Sequence, residues 1–331
     1  MNRQTKRYSS FRRLIWALLV STGWLSLTTG CKLFAPREKL TPVPAVFTSS
    51  PQVGDLFTTV NRRTQNVRQL QAEATVGISG VPAKLSGSLL VERPDRLRLK
   101  VSPLGMDSLG ADIGSNEQQF WVWVKSGGVM ADSVLMFANR QEYAQSQVAT
   151  VMPLEPRWIT DALGLVTFES SGQYQGPVTR PDGRLEINAQ EATPRGIQAS
   201  TMVFDPKTGL LKQKALYDSQ GQLIGYCDIG EYQYFPEADA AIPTTMTLHF
   251  RPGTEIASTA TIQLSNIRIN GLYVDANTAW SMPNPVGIQR VDLSRTPVTP
   301  MPTQAATAEK QVAHNASEDS YLPFRGKWLT R

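Results

Sequence analysis

The sequence predicts a mainly β protein, with one antiparallel sheet and a few helices packed against it. Three observations support this class. Apolar and polar residues alternate with a period of two in many runs after residue 71. Glycine and proline, 24 and 22 of the 331 residues, separate these runs as turn signals. The connections between the runs are too short for the crossovers that parallel strands require.

The first 30 residues have the three-part pattern of a secretory signal peptide. Basic residues precede an apolar stretch from Leu14 to Leu27, and small residues follow it. This stretch has 14 residues, whereas a membrane-spanning helix needs about 20. We therefore predict that residues 1–30 are removed on export, with a retained anchor as the less favoured alternative.

The residue predicted to follow the cleavage point is Cys31. The run Leu27-Thr28-Thr29-Gly30-Cys31 resembles a bacterial lipobox, in which a small residue precedes a cysteine that becomes linked to diacylglycerol. Cys31 is therefore the predicted lipidation site. A disulfide with Cys227, the other cysteine of the chain, is the less favoured alternative. The residue after the predicted lipidation site is Lys32. An Asp at this position marks lipoproteins that are retained in the inner membrane, so its absence favours the outer membrane.

A proline-rich spacer and an amphipathic helix are predicted next. Residues 31–53 contain four prolines and little apolar periodicity, which is typical of an extended segment. Apolar residues then recur at close to helical spacing, with Asp55 near the start, and predict a helix over about 54–70. These apolar residues are Leu56, Val60, Val67 and Leu70.

About ten strands are predicted after this helix. Leu97, Leu99 and Val101 alternate with Arg96, Arg98 and Lys100, and Met246, Leu248 and Phe250 alternate with Thr245, Thr247 and His249. Each of these two strands should have one apolar and one solvent-exposed face. The other predicted strands cover 72–80, 84–92, 118–125, 183–189, 197–205, 210–217, 222–234 and 258–269.

The segment from Phe120 to Val124 carries large apolar side chains on both alternating faces. Both faces of this strand should therefore be dry. One interpretation is a central strand packed on both sides, and the other is a strand with one face lining a ligand cavity.

A second helix and a tail complete the chain. Residues 153–163 contain Pro156 near a helix start, and the apolar side chains of Trp158, Ile159, Ala162 and Leu163 share one face. From about residue 284 the composition turns to Pro, Thr, Ala and Gln, which predicts a disordered tail over 284–331. Its end, from Tyr321 to Trp328, is aromatic and basic, and is either a docking motif for an envelope protein or a flexible end whose aromatic residues cluster by chance.

Charge and composition argue against nucleic-acid and metal sites. The net charge is +5, but five basic residues and no acidic ones lie in the first 30 positions. Without them, 28 basic residues balance 28 acidic ones, so no basic surface for nucleic acid is expected. Two histidines and two cysteines are too few for a typical zinc or iron site. We expect no metal and no cofactor.

Enzyme motifs are absent from the sequence, which contains no G-x-S-x-G, Walker A, G-x-G-x-x-G, C-x-x-C or H-E-x-x-H pattern. A hydrolase would have to depend on His249, which alternates onto the polar face of its strand. Asp107 with Asp112, or Glu186 with Glu191, are conceivable carboxylate pairs, but nothing in the sequence fixes their separation. We expect a protein that is not an enzyme.

The order of these elements, and three segments near the end, resemble the lipoprotein-localisation superfamily, which contains a periplasmic lipoprotein carrier and its outer-membrane receptor. The segments are 242–248, 261–270 and Ala279-Trp280-Ser281-Met282-Pro283, with Trp280 where that superfamily usually has Phe. The resemblance covers about 54–283 and implies an unclosed antiparallel β half-barrel with helices plugging its concave face. Pro103-Leu104-Gly105-Met106 is either a protruding apolar loop of the receptor type or an ordinary turn.

The function that this resemblance implies is binding of acyl chains or lipoproteins in a hydrophobic cavity, for lipid trafficking or envelope sensing. The lipid anchor would hold the protein on the membrane, facing the periplasm. The candidate cavity residues are Leu97, Leu99, Phe120, Val122, Met246, Leu248 and Phe250. The alternative is a scaffolding envelope lipoprotein without a cavity, whose tail binds a protein or wall partner.

Overall fold

The structure, a computed structural model, describes residues 40–126, 133–146, 148–151, 157–169, 172–193, 196–218, 220–254 and 257–296. The chain divides into two compact units, Met1–Leu40 and Thr41–Arg331, and the following description concerns the second. The predicted signal peptide, Cys31 and residues 297–331 of the predicted tail lie outside the described residues.

The helices are short, and the longest of those described is the predicted amphipathic helix. In the described ranges they are α1 (Val53–Gln65), α2 (Arg140–Gln145), α3 (Val148–Val151), α4 (Arg157–Ala162) and α5 (Ala276–Ala279). Asp55 lies in the first turn of α1, where its carboxylate is favourable to the helix dipole. The mid-chain helix is confirmed as α4, while 152–156 fall outside the described residues.

The strands make up most of the domain. They are β1 (Gln69–Ile78), β2 (Leu85–Glu92), β3 (Arg96–Ser102), β4 (Leu109–Ser115), β5 (Gln119–Ser126), β6 (Val134–Asn139), β7 (Gln173–Thr179), β8 (Leu185–Thr193), β9 (Gly196–Phe204), β10 (Leu211–Tyr217), β11 (Leu223–Ile229), β12 (Tyr232–Phe235), β13 (Ala240–Pro243), β14 (Thr245–Phe250), β15 (Ser258–Ile269) and β16 (Gln289–Asp292).

Fourteen of these strands form one open sheet in the order β16-β6-β5-β4-β3-β2-β1-β15-β14-β11-β10-β9-β8-β7. Strands β12 and β13 form a separate hairpin. Neighbouring strands of the large sheet pair antiparallel, as predicted, except that β16 runs parallel to β6. The sheet has two free edges, β16 and β7, so it is an unclosed half-barrel and not a closed barrel.

The curvature of the sheet is evident from its main hydrophobic core. Leu99 of β3 and Ile187 of β8 lie far apart in the strand order, yet both belong to one buried cluster with Leu56 and Val60 of α1. The two halves of the sheet therefore curve around α1 and the segment that follows α4. This arrangement is the helix-plugged half-barrel that the resemblance implies.

Several sequence predictions need correction. The sheet has more than ten strands, because β4, β6, β7 and β16 lack the alternation that identified the others. The run 222–234 is not one strand, since the chain leaves the sheet after Ile229 and starts the β12–β13 hairpin at Tyr232.

The strand from Phe120 to Val124 is dry on both faces only at its beginning. Phe120 and Trp121 are buried, as predicted. Trp123 is half-buried and Val124 is 45% exposed, so the prediction is wrong for the second half of β5.

The folded domain extends beyond residue 283, where the composition predicted a tail. Strand β16 pairs with the edge strand β6 from Gln289 to Asp292. The next residue, Leu293, is buried against Phe120 and Tyr143 in a second, smaller hydrophobic cluster. The prediction of disorder is therefore wrong for this segment, because one apolar side chain and a parallel strand pairing are enough to hold it.

The end of the predicted spacer also lies on the domain. The backbone N–H groups of Val46 and Phe47 donate to the Lys207 carbonyl at 2.8 and 3.0 Å. The N–H of Tyr234 donates to the carbonyl of Thr41 at 3.1 Å. The segment that leads into α1 is therefore hydrogen-bonded to the domain from Thr41 onward.

Candidate functional site

The concave face of the half-barrel is the candidate site. Four of the seven predicted cavity residues lie there and are buried in the main core: Leu97 and Leu99 on β3, and Met246 and Leu248 on β14. They alternate with polar residues on the opposite face, as the sequence predicted.

The other three predicted residues lie elsewhere or are less covered. Phe120 belongs to the smaller cluster beside α2 and α3, and its ring meets that of Tyr143 edge-on at 4.8 Å. Val122 is half-buried on β5. Phe250 is half-buried and stacks on Trp158 at 5.7 Å. The structure therefore does not bring the seven side chains together around one open cavity.

Helix α1 and the segment 163–169 cover the concave face. Asn61 of α1 joins them through two hydrogen bonds: its Nδ2 donates to the Phe168 carbonyl, and its Oδ1 accepts from the Phe168 N–H, both at 2.8 Å. The Phe168 ring stacks on Phe57 of α1 at 3.8 Å. Leu163, Leu165 and related apolar side chains of the segment are buried against the sheet.

An open cavity of about 430 Å³ remains between this segment and the strands β8–β10. Its size is within the range of ligand pockets. The apolar part of the lining includes Val166, Phe168, Ala189, Ile197 and Met202. None of the seven predicted residues belongs to this lining.

The sequence did not predict this cavity, because its lining is shared between a loop and the strands of the sheet. Residues 166–168 form a loop with no periodicity, and a loop gives no signal of which side chains face inward. On β9, Met202 and Ser200 share the inward parity, and only the alternation of the predicted strand 197–205 could have suggested them.

One ion pair crosses from α4 to the sheet beside this cavity. The Lys214 Nζ lies 2.7 Å from Asp161 Oδ2, and both side chains are 13% exposed. Lys214 is on β10, opposite Met202 in the strand pairing. The pair fixes α4 to the concave face through charge as well as apolar packing.

A second ion pair lies on the convex face and corrects the prediction for β3. Arg98 was expected on a solvent-exposed face, but it is buried. Its guanidinium makes two bonds to the Asp112 carboxylate, at 3.1 and 2.9 Å, and donates to the Thr278 and Ala279 carbonyls at 2.7 and 2.8 Å. Helix α5 and the following Trp280 thus cover this face.

The two carboxylate pairs considered for a hydrolase do not come together as pairs in the structure. Asp112 is engaged by Arg98, while Asp107 is exposed on the β3–β4 connection. Strand register places Glu186 and Glu191 on opposite faces of β8, because their positions differ by an odd number.

His249 lies on the convex face, as its alternation predicted. Its Nε2 is 3.4 Å from Asp228 and its Nδ1 is 3.4 Å from Thr259, with the ring stacked on Tyr226. These contacts lie on a sheet surface opposite the concave cavity.

The remaining predicted features are placed as follows. Cys227 of β11 is a buried free thiol, and burial raises its pKa to about 12.

The Pro103–Met106 segment is the turn between β3 and β4. The Met106 N–H donates to the Pro103 carbonyl at 3.0 Å and closes the turn, which leaves Leu104 95% exposed.

A larger groove, of about 930 Å³, lies at the rim of the sheet near the end of α1. Its lining is mostly polar and includes Arg68, Arg93, Glu237 and Asn270. The lining of this groove includes one buried aliphatic side chain, Val67, whereas the concave cavity presents Val166, Phe168 and Met202, so the concave cavity is the better candidate for an apolar ligand.

Two features are absent from the described ranges. No helix within them is both long and apolar enough to cross a membrane. Nor do His, Cys, Asp and Glu side chains form a group of three that could hold a metal ion there.

No protein-family model and no curated protein matches the sequence. Solved structures do resemble the fold. A DUF1329 family protein from Desulfovibrio piger is 17% identical with a TM-score of 0.45, and the match covers 67% of this chain and 95% of that one. A LolA superfamily protein from Nitrosomonas europaea is 9% identical with a TM-score of 0.43, covering 71% and 99%.

A third structure is a domain of an outer membrane lipoprotein-sorting protein from Vibrio parahaemolyticus. It is 11% identical with a TM-score of 0.39, and the match covers 69% of this chain and 97% of that domain. Proteins of the superfamily that the sequence resembles are therefore among the structural matches.

Proposed function

We propose that this protein binds an acyl chain of a lipid or lipoprotein in the concave cavity of its half-barrel, without catalysing a reaction. The observation that carries this proposal is the 430 Å³ cavity between the segment 163–169 and strands β8–β10. Helix α1 and the segment 163–169 cover the concave face, and the cavity lies beside an otherwise packed core.

The chemistry of the cavity suits a chain of methylene groups. Phe168 and Met202 are almost fully buried, and each buried methylene of a ligand contributes about 0.8 kcal/mol to binding. Val166 and Ala189 extend the apolar wall. A chain of a dozen carbons would therefore bind with useful affinity even after the cost of ordering it.

In this proposal, the residues predicted from the sequence lie deeper on the concave face than the open cavity does. Leu97, Leu99, Met246 and Leu248 lie on the same concave face but are covered by α1 and the segment 163–169. They, with Val122 and Phe250 at the margins of that face, would contact a ligand if the covering segment moved. Phe120 would contribute only through the smaller cluster.

We also propose that the protein is attached to the bacterial outer membrane by a lipid on Cys31 and faces the periplasm. Cleavage before Cys31 would leave a spacer of ten residues before Thr41, where the chain joins the domain. Intact-mass measurement of protein extracted from membranes tests this: a mass without residues 1–30 and with added acyl groups is expected. A mass that includes residues 1–30 would contradict it.

A scaffolding role without a ligand is the second candidate. It is favoured by one observation: over β1–β3 the concave face is filled by side chains of α1, such as Leu56 and Val60. In that case residues 297–331 would bind a protein or wall partner, and crosslinking through them would capture it.

Filling the cavity separates the two candidates. Ala189→Trp puts an indole into the cavity, so it should weaken binding of a fluorescent acyl probe at least tenfold. Val178→Trp is the matched control, because Val178 lies on the neighbouring strand β7, is 59% exposed and does not line the cavity. Circular dichroism of both variants confirms folding. Equal probe binding by wild type and both variants would contradict the proposed site.

A further inference from the structure

The two edges of the open sheet end in different ways. Strand β7 forms one edge with a mostly polar sequence that contains Pro177 and a register irregularity between Gln175 and Val178. Proline and bulges are features that stop further strands from adding to an edge. Strand β6, at the other end of the antiparallel part of the sheet, has no such feature, and β16 covers its edge instead.

The sequence of β6 would make this edge adhesive if it were uncovered. From Ser133 to Asn139 the chain reads SVLMFAN, without a charge, a proline or a glycine. Uncharged apolar runs of this length pair with other chains when their backbone groups are free. The Phe137 carbonyl points to the edge, where it accepts from the Leu293 N–H at 2.8 Å. Because backbone groups alternate in direction along a strand, Leu135 and Phe137 present the groups that an added strand would use.

The cover over this edge is small and is held mainly at one point. Strand β16 has four residues, and its pairing with β6 is parallel, which is slightly less stable per residue than antiparallel pairing. Among residues 289–293, Leu293 alone is buried, with 3% of its surface exposed. The exposed Arg290 adds a cation–π contact with the Phe137 ring at 5.3 Å.

The chain before the cover is a connection without regular structure. Residues 281–288 belong to no helix or strand, and they contain Pro283 and Pro285. Val286 in this connection is 97% exposed. Since β16 is the last strand of the sheet on its side, its separation from β6 would break no other strand pairing.

We propose that β16 is a releasable cover, and that the β6 edge beneath it binds the same edge of a second copy of this chain. Two copies of β6 can pair antiparallel about a two-fold axis, which satisfies the free backbone groups of both strands at once. With that axis at Phe137, the two Phe137 side chains lie opposite each other. A second copy suits this edge better than a charged partner does, because residues 133–139 carry no charge. This inference does not depend on acyl binding.

Sedimentation velocity of the purified chain from Lys32 onward, which contains every described residue, tests the proposal. At about 50 μM the wild type should be a monomer, and Leu293→Asp, which puts a charge into the buried anchor point of the cover, should be a dimer. Faster limited proteolysis after residue 283 verifies that β16 has been released. If Leu293→Asp keeps β16 in place, truncation after residue 288 removes the cover and should give the same dimer.

Two lysine variants, each combined with Leu293→Asp, locate the interface. Phe137→Lys places two ammonium groups opposite each other across the β6 pair, so it should restore the monomer. Val178→Lys is the matched control, because Val178 lies on the other edge strand and is 59% exposed, so this variant should leave the dimer intact. Circular dichroism of all variants confirms folding.

The results that would overturn the proposal are specific to the β6 edge. A monomer after release of the cover would show that the edge does not self-associate, and a wild-type dimer would show that the cover blocks nothing. Dimers or larger aggregates that persist with Phe137→Lys would also overturn it, because another surface would then hold the copies together. Loss of the dimer in Val178→Lys would place the interface on β7 instead.

Discussion

Replacing Asp112 by asparagine should lower the free energy of unfolding by about 3–5 kcal/mol, because it leaves the Arg98 guanidinium charged in a site closed to solvent. Arg98 is 7% exposed and Asp112 is 1% exposed. The two bonds between them, at 3.1 and 2.9 Å, are of the bidentate type that holds geometry as well as charge. Asp112 also accepts from Trp121 Nε1 at 3.2 Å.

This loss of unfolding free energy comes from leaving one buried charge without its partner. It does not measure the net contribution of the intact ion pair to stability. A buried ion pair repays only part of the cost of removing two charges from water, whereas one buried charge without its partner bears that cost alone. Arg98→Met should therefore cost a similar amount. The double variant Arg98→Met with Asp112→Asn should lose at least 2 kcal/mol less than the sum of the two single losses.

Urea unfolding followed by tryptophan fluorescence measures these free energies, since Trp121 lies beside the pair. Glu117→Gln is the control. It removes the partner of Arg96 at 2.6 Å in a pair whose side chains are 34% and 55% exposed, so the loss should stay below about 1 kcal/mol. A loss below about 1 kcal/mol for Asp112→Asn, or strict additivity in the double variant, would refute the reasoning.

Three further predictions concern packing and reactivity. Gly114→Ala should destabilise the protein by about 1–3 kcal/mol, since its Cβ would lie 2.2 Å from the Trp121 ring; thermal unfolding measures this, and an unchanged melting temperature would contradict it. Cys227 should resist iodoacetamide at pH 8 and react only in denaturant, because burial raises its pKa to about 12; mass spectrometry showing rapid labelling of folded protein would disprove this. Leu293→Asp should release β16, because Leu293 packs on Phe120, and limited proteolysis should then cleave after residue 283 much faster than in wild type; equal cleavage rates would exclude this anchor.

The sequence predicted the strands whose two faces differ. On β14, Met246 and Leu248 face the core while Thr247 faces outward, and the alternation alone showed this. The start of helix α1 was predictable from Leu56 and Val60, but its end was not: the helix stops at Gln65, and Leu70, which was counted on its apolar face, already belongs to β1.

Features that depend on distant chain segments were not predictable. Arg98 alternates like a solvent-exposed residue, and only the return of α5 to the convex face buries it. Likewise, nothing in the short segment from Gln289 to Asp292 indicates a strand, because its stability comes from the edge of β6.

The position of the open cavity was not predictable from the sequence. Leu97 and Leu248 do lie on the apolar concave face, as the alternation predicted. Helix α1 covers that part of the face, so these side chains do not line an open cavity. The open cavity lies where the segment 163–169 meets the sheet, near Phe168 and Met202. The fit between a loop and a curved sheet depends on the whole fold and leaves no pattern in the sequence.

Native mass spectrometry of the purified protein, followed by solvent extraction of whatever is bound, tests the central claim most directly. The half-barrel with its concave cavity should carry an acyl compound from the cell, or take up added monomyristoylglycerol with one ligand per chain. Protein that is purified without lipid and also refuses this ligand at saturating concentration would contradict acyl binding and favour the scaffolding role.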